Sequence, residues 1–229
     1  MAPMRFWRVG TAETDFTAER EAMVERQLRR RGITEPAILD AFRKVPREAF
    51  VGKQFSNLAY GDHPLPIEAN QTISQPYVVA LMIQAAAIEP GDTVLEVGSG
   101  SGYAAAVIGH IADRVIGIER QHELVEIATQ RMQRLGYKNV EIVEGDGTKG
   151  WPNGAPYDAI LAAASGSHMP GQLVSQLKAR GRLVMPLGKS ESAQRLLLAT
   201  KQPDGSLRQS DLGGVRFVPL IGEEGWNDP

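Results

Sequence analysis

The chain has 229 residues, no cysteine, a formal net charge of −2, and 42% hydrophobic and 23% charged residues. Its length suits one large globular domain, and the missing cysteines exclude disulfides, thiolate nucleophiles and thiolate-bound metals. The small net charge gives no general pull toward nucleic acid or anionic lipid.

Residues 1–16 show no period and are expected to be partly disordered. "MAPMRFWRVG" has neither the apolar core nor the cleavage pattern of a signal peptide. The longest apolar run, "VVALMIQAAAI", is broken by Gln84 and too short to span a bilayer. The expected location is the cytoplasm. From Thr17 the pattern is helical, with Val24 and Leu28 four apart amid glutamates and arginines, until Gly32 supplies a stop. The "RRR" run ahead of Gly32 reads as a solvated helix face balanced by those glutamates, not a nucleic-acid contact. A second helix is expected with Thr34 as N-cap and Pro36 in its first turn, burying Ile38, Leu39 and Phe42.

"EANQTISQPYVVA" follows, packing Asn70, Gln71, Thr72, Ser74 and Gln75 ahead of an apolar helix that begins near Gln75. Ser74 two positions before Pro76 suits a helix cap. The same stretch can also form an anion cradle, because a helix start offers unpaired amide N–H groups and partial positive charge.

From residue 90 the texture changes. "PGDTVLEVG" is a turn and a buried strand, "YAAAVIGHIA" a helix, "RVIGIE" a strand and "HELVEIATQRMQRLGY" a helix with Leu124, Ile127, Ala128, Met132 and Leu135 on one side. "NVEIVEGD" and "YDAILAAAS" are strands, "GQLVSQLKARG" a helix and "RLVMPLG" a strand. Strands alternating with helices imply a mostly parallel α/β sheet with right-handed crossovers. The residues after "RLVMPLG" read as strands around a Pro-Asp-Gly turn, an antiparallel C-terminal edge.

"VLEVGSGSGY" places Gly98, Gly100 and Gly102 between a strand and a helix, where glycines allow a sharp turn and close approach of a ligand. Such turns also serve packing alone. The spacing is G-x-G-x-G, whereas the dinucleotide fingerprint needs G-x-G-x-x-G, and Tyr103 stands at its third glycine. Glu119 ends the next strand, where a carboxylate can accept from ribose hydroxyls. Asp146 ends the third strand in "EGDG", where it can meet an adenine edge, and Glu96 adds a negative group before the loop. Each carboxylate taken singly is also compatible with capping a helix or facing water. No P-loop lysine follows the glycines, so a nucleoside without polyphosphate is expected. A ligand with a cationic end suits Glu96, and S-adenosylmethionine has adenine, ribose, a sulfonium and an amino group. His63, His110, His122 and His168 have no metal-site spacing. His110 and His122 fall on expected helices, whereas His63 and His168 are candidates for the groove. No metal is expected.

"PLPIEANQTISQPYVVALM", "VLEVGSGSGYAAAVI", "GDGTKGWPNGAPYDAI" and "GRLVMPLG" resemble successive motifs of the protein-L-isoaspartate O-methyltransferase family, over about Thr17 to Leu220. The resemblance implies a Rossmann-like S-adenosylmethionine-dependent methyltransferase fold in a single domain over 1–229. Residues 17–89 would supply N-terminal helices and the active-site segment, and residues 90–220 the cofactor-binding core. It also implies methylation of the free α-carboxylate of L-isoaspartyl residues in damaged proteins, the first step of their repair. By the same resemblance, Gly98, Ser99, Gly100, Ser101 and Gly102 lie along the methionine part of the cofactor. Glu119 would bind the ribose, and Asp146 and Gly147 the adenine. Gln71, Thr72, Ile73 and Ser74 would close over cofactor and substrate, with Ser74 at the family's active-site serine. The chain departs from the pattern at Glu68 and Asn70, where glycines are usual, and at Ser167, where proline is frequent, so these should border the substrate groove. Rival readings are a nucleic-acid methyltransferase, which would carry an Asn/Asp-Pro-Pro-Tyr-like motif, an NAD-dependent oxidoreductase, and an isoaspartyl-binding protein that no longer methylates.

Overall fold

The structure, a computed structural model, describes residues 14–188 and 193–227. Residues 1–13, most of the segment expected to be disordered, lie outside the described residues.

The first helix, α1 (Thr17–Met23), runs into a π-turn at Val24–Leu28 and a 3-10 turn at Arg29–Arg31. Gly32 ends it at φ 93°, a left-handed position that only glycine adopts without a Cβ penalty. All three arginines are exposed; Arg29 pairs with Glu25 at 3.0 Å and Arg31 with Asp62 at 2.7 Å, as a solvated face should. The second helix, α2 (Pro36–Lys44), buries Ile38, Leu39, Ala41 and Phe42. Its N-cap is Glu35 and makes no side-chain cap bond, so Thr34 does not cap it. The Thr34 amide instead donates to Gln84 Oε1 at 2.9 Å, tying this turn to α3 (Pro76–Ala85). Pro36 presets the first turn, which makes a side-chain cap less necessary. Between these helices lies a short antiparallel hairpin, β1 (Leu65–Pro66) and β2 (Thr72–Ile73).

The main sheet contains β3 (Thr93–Val97), β4 (Arg114–Glu119), β5 (Val140–Glu144), β6 (Tyr157–Ala162), β7 (Leu177–Gly188), β8 (Gln194–Lys201) and β9 (Leu207–Val215). Their spatial order is β5-β4-β3-β6-β7-β8-β9. The first five in that order are parallel, and β8 and β9 add an antiparallel edge. This is the expected Rossmann-like α/β class. Helices α4 (Tyr103–Ile108) and α5 (His122–Leu135) connect the first three strands. Alternate residues of β3 feed two apolar clusters, one on each face of the sheet. Val94 joins Met23, Leu28, Phe42, Phe50, Tyr103 and Leu196; Leu95 and Val97 join Ile116, Ile160, Leu183 and Met185. The N-terminal helices therefore share a core with one face of the sheet. Each such buried side chain contributes about 1.5–3 kcal/mol.

Two expected elements are shorter. The helix expected over "GQLVSQLKARG" is only α6 (Gly171–Ser175). The Tyr157 amide donates to the Gln176 carbonyl at 2.8 Å and Leu177 pairs with Tyr157, so sheet pairing captures the second half. Likewise α4 stops at Ile108, and His110 lies in the turn beyond it. Gly109 there packs so closely on Val140 that a Cβ would stand 2.6 Å from its Cγ2. Among the described residues no helix is long and apolar enough to cross a membrane.

Candidate functional site

From β3 the chain winds outward to β4 and β5, then returns to place β6 on the other side of β3. Where strand order reverses in this way, the connections leave in opposite directions and open a crevice at the carboxyl ends. A cavity of about 350 Å³ lies there, within the range of small-ligand sites.

The glycine loop forms one wall. Gly98, Gly100 and Gly102 have φ values of 80°, 52° and 85°. Gly98, Ser99, Gly100 and Ser101 line the cavity, but Gly102 does not. A Cβ on Gly102 would stand 3.0 Å from Met132 Cε and 3.3 Å from Ala128 Cβ. Gly102 thus packs closely on α5. Gly100 is half-buried, with Ile67 Cδ1 3.4 Å from the position its Cβ would take.

Two carboxylates stand beside the loop. Glu119 lines the cavity, and its Oε2 accepts from the Gly100 amide at 2.9 Å. Its Oε1 accepts from the amides of Arg120 at 2.8 Å and Gln121 at 3.0 Å. Three of roughly four acceptor positions are thereby used, holding the loop and the start of α5 together. Glu96 also lines the cavity and is only 2% exposed, yet among the described residues its Oε2 has no hydrogen-bond partner. Burial, then the nearby negative charge of Glu119, pushes its carboxyl up to about 8, with a hydrogen bond from the Ala105 amide opposing. A buried oxygen of this kind calls for a donor or a cation.

Asp146 stands next to the cavity-lining Gly147 and is tied into the fold. It does not line the cavity, although Gly147 does. Its Oδ1 accepts from the Thr148 amide at 2.9 Å and hydroxyl at 2.7 Å, and its Oδ2 from the Glu223 amide at 2.9 Å. These bonds anchor the C-terminal segment, whose residues Val218, Pro219, Leu220 and Ile221 also line the cavity. Nothing along the sequence linked residue 146 to that segment.

At the other end, Gln71, Thr72, Ile73 and Ser74 all line the cavity. The N-cap of α3 is Gln75 without a side-chain cap bond, so Ser74 is not a helix cap. Its hydroxyl makes no hydrogen bond among the described residues, while its carbonyl accepts from Arg47 Nη2 at 2.8 Å. Arg47 is fully buried and was not anticipated; its neighbour Glu48 in sequence pairs instead with Arg20. Tyr103, read only as a departure from the dinucleotide fingerprint, also lines the cavity.

The unusual positions lie outside the lining. Glu68 Oε1 pairs with Arg131 Nη2 at 3.0 Å, and Arg131 Nη1 reaches the Ser101 carbonyl at 3.4 Å. Glu68 thereby fastens the hairpin to α5 and the glycine loop. Ala69 and Asn70 have φ values of 53° and 56° at the hairpin tip, a conformation asparagine tolerates better than most residues. Ser167 is exposed and bonds His168 Nδ1 at 3.0 Å. His63 and His168 do not line the cavity, and His122 bonds Glu144 at 2.6 Å. Among the described residues no group of histidines and carboxylates could hold a metal ion.

A family model described as protein-L-isoaspartate(D-aspartate) O-methyltransferase matches residues 18–225. A protein-L-isoaspartate O-methyltransferase 1 of Rhodopseudomonas palustris (strain HaA2) is 53% identical over 213 residues, 93% of this chain and 87% of that protein. One of Pelobacter propionicus is 53% identical over 207 residues, 90% of this chain and 92% of its own length. Among solved structures, a protein-L-isoaspartate O-methyltransferase aligns with a TM-score of 0.82 and 32% identity, covering 90% of this chain and 66% of that one. A Plasmodium falciparum structure described as a putative protein-L-isoaspartate O-methyltransferase in complex with S-adenosyl-L-homocysteine aligns at 0.76 and 27% identity, covering 88% of this chain and 98% of that one. The chain therefore belongs to the protein-L-isoaspartate(D-aspartate) O-methyltransferase family, the S-adenosylmethionine-dependent enzymes that methylate isoaspartyl residues in damaged proteins at the start of their repair.

Proposed function

We propose that the cavity is where the chain methylates the free α-carboxylate of L-isoaspartyl residues, with the donor against the glycine loop and the acceptor at Ser74. The observation that carries this division is the unpartnered, buried oxygen of Glu96 beside Glu119. When bound, S-adenosylmethionine supplies an electrophilic methyl group on a positively charged sulfur. Glu96 suits the cationic portion of that donor, Glu119 has one acceptor position left for a ribose hydroxyl, and the Gly147 backbone suits the adenine end.

The acceptor needs orientation more than activation. A carboxylate with a pKa of ~4 is ionised at neutral pH, so no general base is required. The Ser74 hydroxyl is an open donor, and the Tyr77 and Val78 amides at the start of α3 make no backbone hydrogen bond among the described residues. Ser74 in this reading holds the oxygen in line and is not a nucleophile. Orientation of this kind can lower a barrier by about 7–11 kcal/mol. The reading takes the chain as one methyltransferase domain working in the cytoplasm on protein and peptide substrates, with no nucleic-acid partner.

Incubation with labelled S-adenosylmethionine and matched peptides tests it. An L-isoaspartyl peptide should be methylated at least about a hundredfold faster than its L-aspartyl counterpart, whose carboxylate is displaced by one methylene from the productive geometry. Ser74→Ala should slow that reaction while leaving cofactor affinity within a few-fold. Equal rates on the two peptides, or an unaffected Ser74→Ala enzyme, would place the acceptor elsewhere. Binding of the isoaspartyl peptide without methylation would favour a recognition protein.

A further inference from the structure

Arg47 opens the 3-10 turn Arg47–Phe50 and is 0% exposed. Its Nε donates to the Ala59 carbonyl at 2.7 Å and its Nη2 to the Ser74 carbonyl at 2.8 Å. The guanidinium carbon lies 4.6 Å from the centroid of the Tyr103 ring. Ser74 and Tyr103 both line the cavity, so the cation sits directly behind that wall. Among the described residues its Nη1 has no hydrogen-bond partner and no carboxylate pairs with it. The groups that favour its charge are the Tyr103 and Tyr60 phenols, and burial outweighs them, pushing its pKa down.

This arrangement is costly, because a buried charge is normally matched by a counter-charge. The fold itself asks only for two hydrogen-bond donors, at Ala59 and Ser74, and a neutral amide could supply those. What the fold leaves unused is the positive charge. An anion arriving at the Ser74 end of the cavity would use it.

We propose that Arg47 is a positioning residue for methyl transfer: it fixes the segment bearing Ser74 through that residue's carbonyl, and its uncompensated charge draws in the substrate α-carboxylate. The inference rests on the reading of the Ser74 end as the acceptor site. It assigns Arg47 a role in substrate affinity. The field behind Ser74 favours the anionic acceptor before reaction and is indifferent to the neutral ester afterwards, so it aids capture of substrate and does not retain product. An interaction that is strongest with the ground-state anion lowers KM and does not raise kcat.

The test compares an isoaspartyl peptide bearing a free α-carboxylate with the same peptide bearing an α-carboxamide, a neutral group of similar shape. Binding is measured by calorimetry on the protein saturated with S-adenosylhomocysteine. The wild type should prefer the carboxylate by about tenfold or more, as expected for charge complementarity in a desolvated site. Arg47→Gln should remove most of that preference and raise KM for the isoaspartyl peptide by a similar factor, with kcat and cofactor Kd within about threefold. Arg47→Lys, which keeps the charge but not the paired donors, should retain part of the preference. A wild type that binds both peptides equally overturns the proposal, as does a folded Arg47→Gln enzyme with the preference intact. Failure of both variants to fold also overturns it, by assigning Arg47 to structure alone. The acceptor-site reading fails separately, through an unaffected Ser74→Ala enzyme, so the two results are distinguishable.

Discussion

The two ends of the cavity are built from opposite charges and from different parts of the chain. At the glycine-loop end stand Glu96 and Glu119, carboxylates on the neighbouring strands β3 and β4. At the Ser74 end stand a free hydroxyl, the start of α3 and the buried cation of Arg47, all from the N-terminal helical third. Methyl transfer to a carboxylate brings a sulfonium and an anion together and leaves both products with less charge. In the proposed reading, carboxylates beside the loop and a cation behind Ser74 would orient that pair before reaction. The loop end is rigidly tied: Glu119 accepts three backbone amides across the loop and α5. The Ser74 end hangs on the side chain of Arg47 and on a two-residue hairpin clipped to α5 by the Glu68–Arg131 pair.

The contrast can be broken hardest at Gly100. Its φ of 52° strongly disfavours a β-branched side chain. Gly100→Val should abolish measurable S-adenosylmethionine binding while leaving a cooperatively folded protein, and calorimetry with unchanged affinity would remove the loop from the site. Glu119→Ala comes next. Charge-assisted hydrogen bonds contribute about 1.5–3 kcal/mol each, so cofactor affinity should fall at least about tenfold. The acceptor end should be spared, with isoaspartyl peptide binding little changed. Tight binding of NAD to the wild type would instead return the loop to the dinucleotide class.

The smallest effect sharpens the comparison through pH. With its carboxyl raised to about 8, Glu96 is largely protonated at neutral pH in the free protein. A cationic ligand favours the ionised form, so binding should release a proton and affinity should climb as pH rises to about 8, then level off. Between pH 7 and 8.5 the gain is roughly eightfold. Glu96→Gln should flatten that dependence, whereas Arg47→Gln should leave it intact; an equally steep profile in Glu96→Gln would assign the proton to another group. The sign for stability is opposite. The folded state holds this proton where the unfolded chain has lost it, so without ligand the protein should lose stability as pH rises from about 4.5 to about 8. Thermal melts across that window read this directly.

Asp146 shows where sequence reading stops. The positions of Glu96, Glu119 and the three glycines are legible because strand, loop and next strand follow one another along the chain, so backbone geometry alone brings them together. Asp146 lies just past the end of β5, and its carboxylate accepts from the amide of Glu223, far along the chain. Gly102 looks like its two companions in sequence and differs only because α5 packs against it. Arg47 is harder still. Its adjacent glutamate suggests a local ion pair, yet Glu48 turns to Arg20 and Tyr60 and leaves the arginine buried without a carboxylate. The helix expected from "GQLVSQLKARG" fails at Leu177 for a related reason, since pairing with Tyr157 outweighs local helical preference.

The sequence by itself determined the α/β class, the loop with its neighbouring carboxylates, and the family, because these depend on periodicity and on short-range order along the backbone. Only the tertiary structure decided which polar groups are spent on holding the fold and which remain open to a ligand. The open oxygen of Glu96, the uncapped hydroxyl of Ser74 and the unneutralised charge of Arg47 are defined by partners that are absent nearby, and burial by residues distant in sequence is what makes those absences matter.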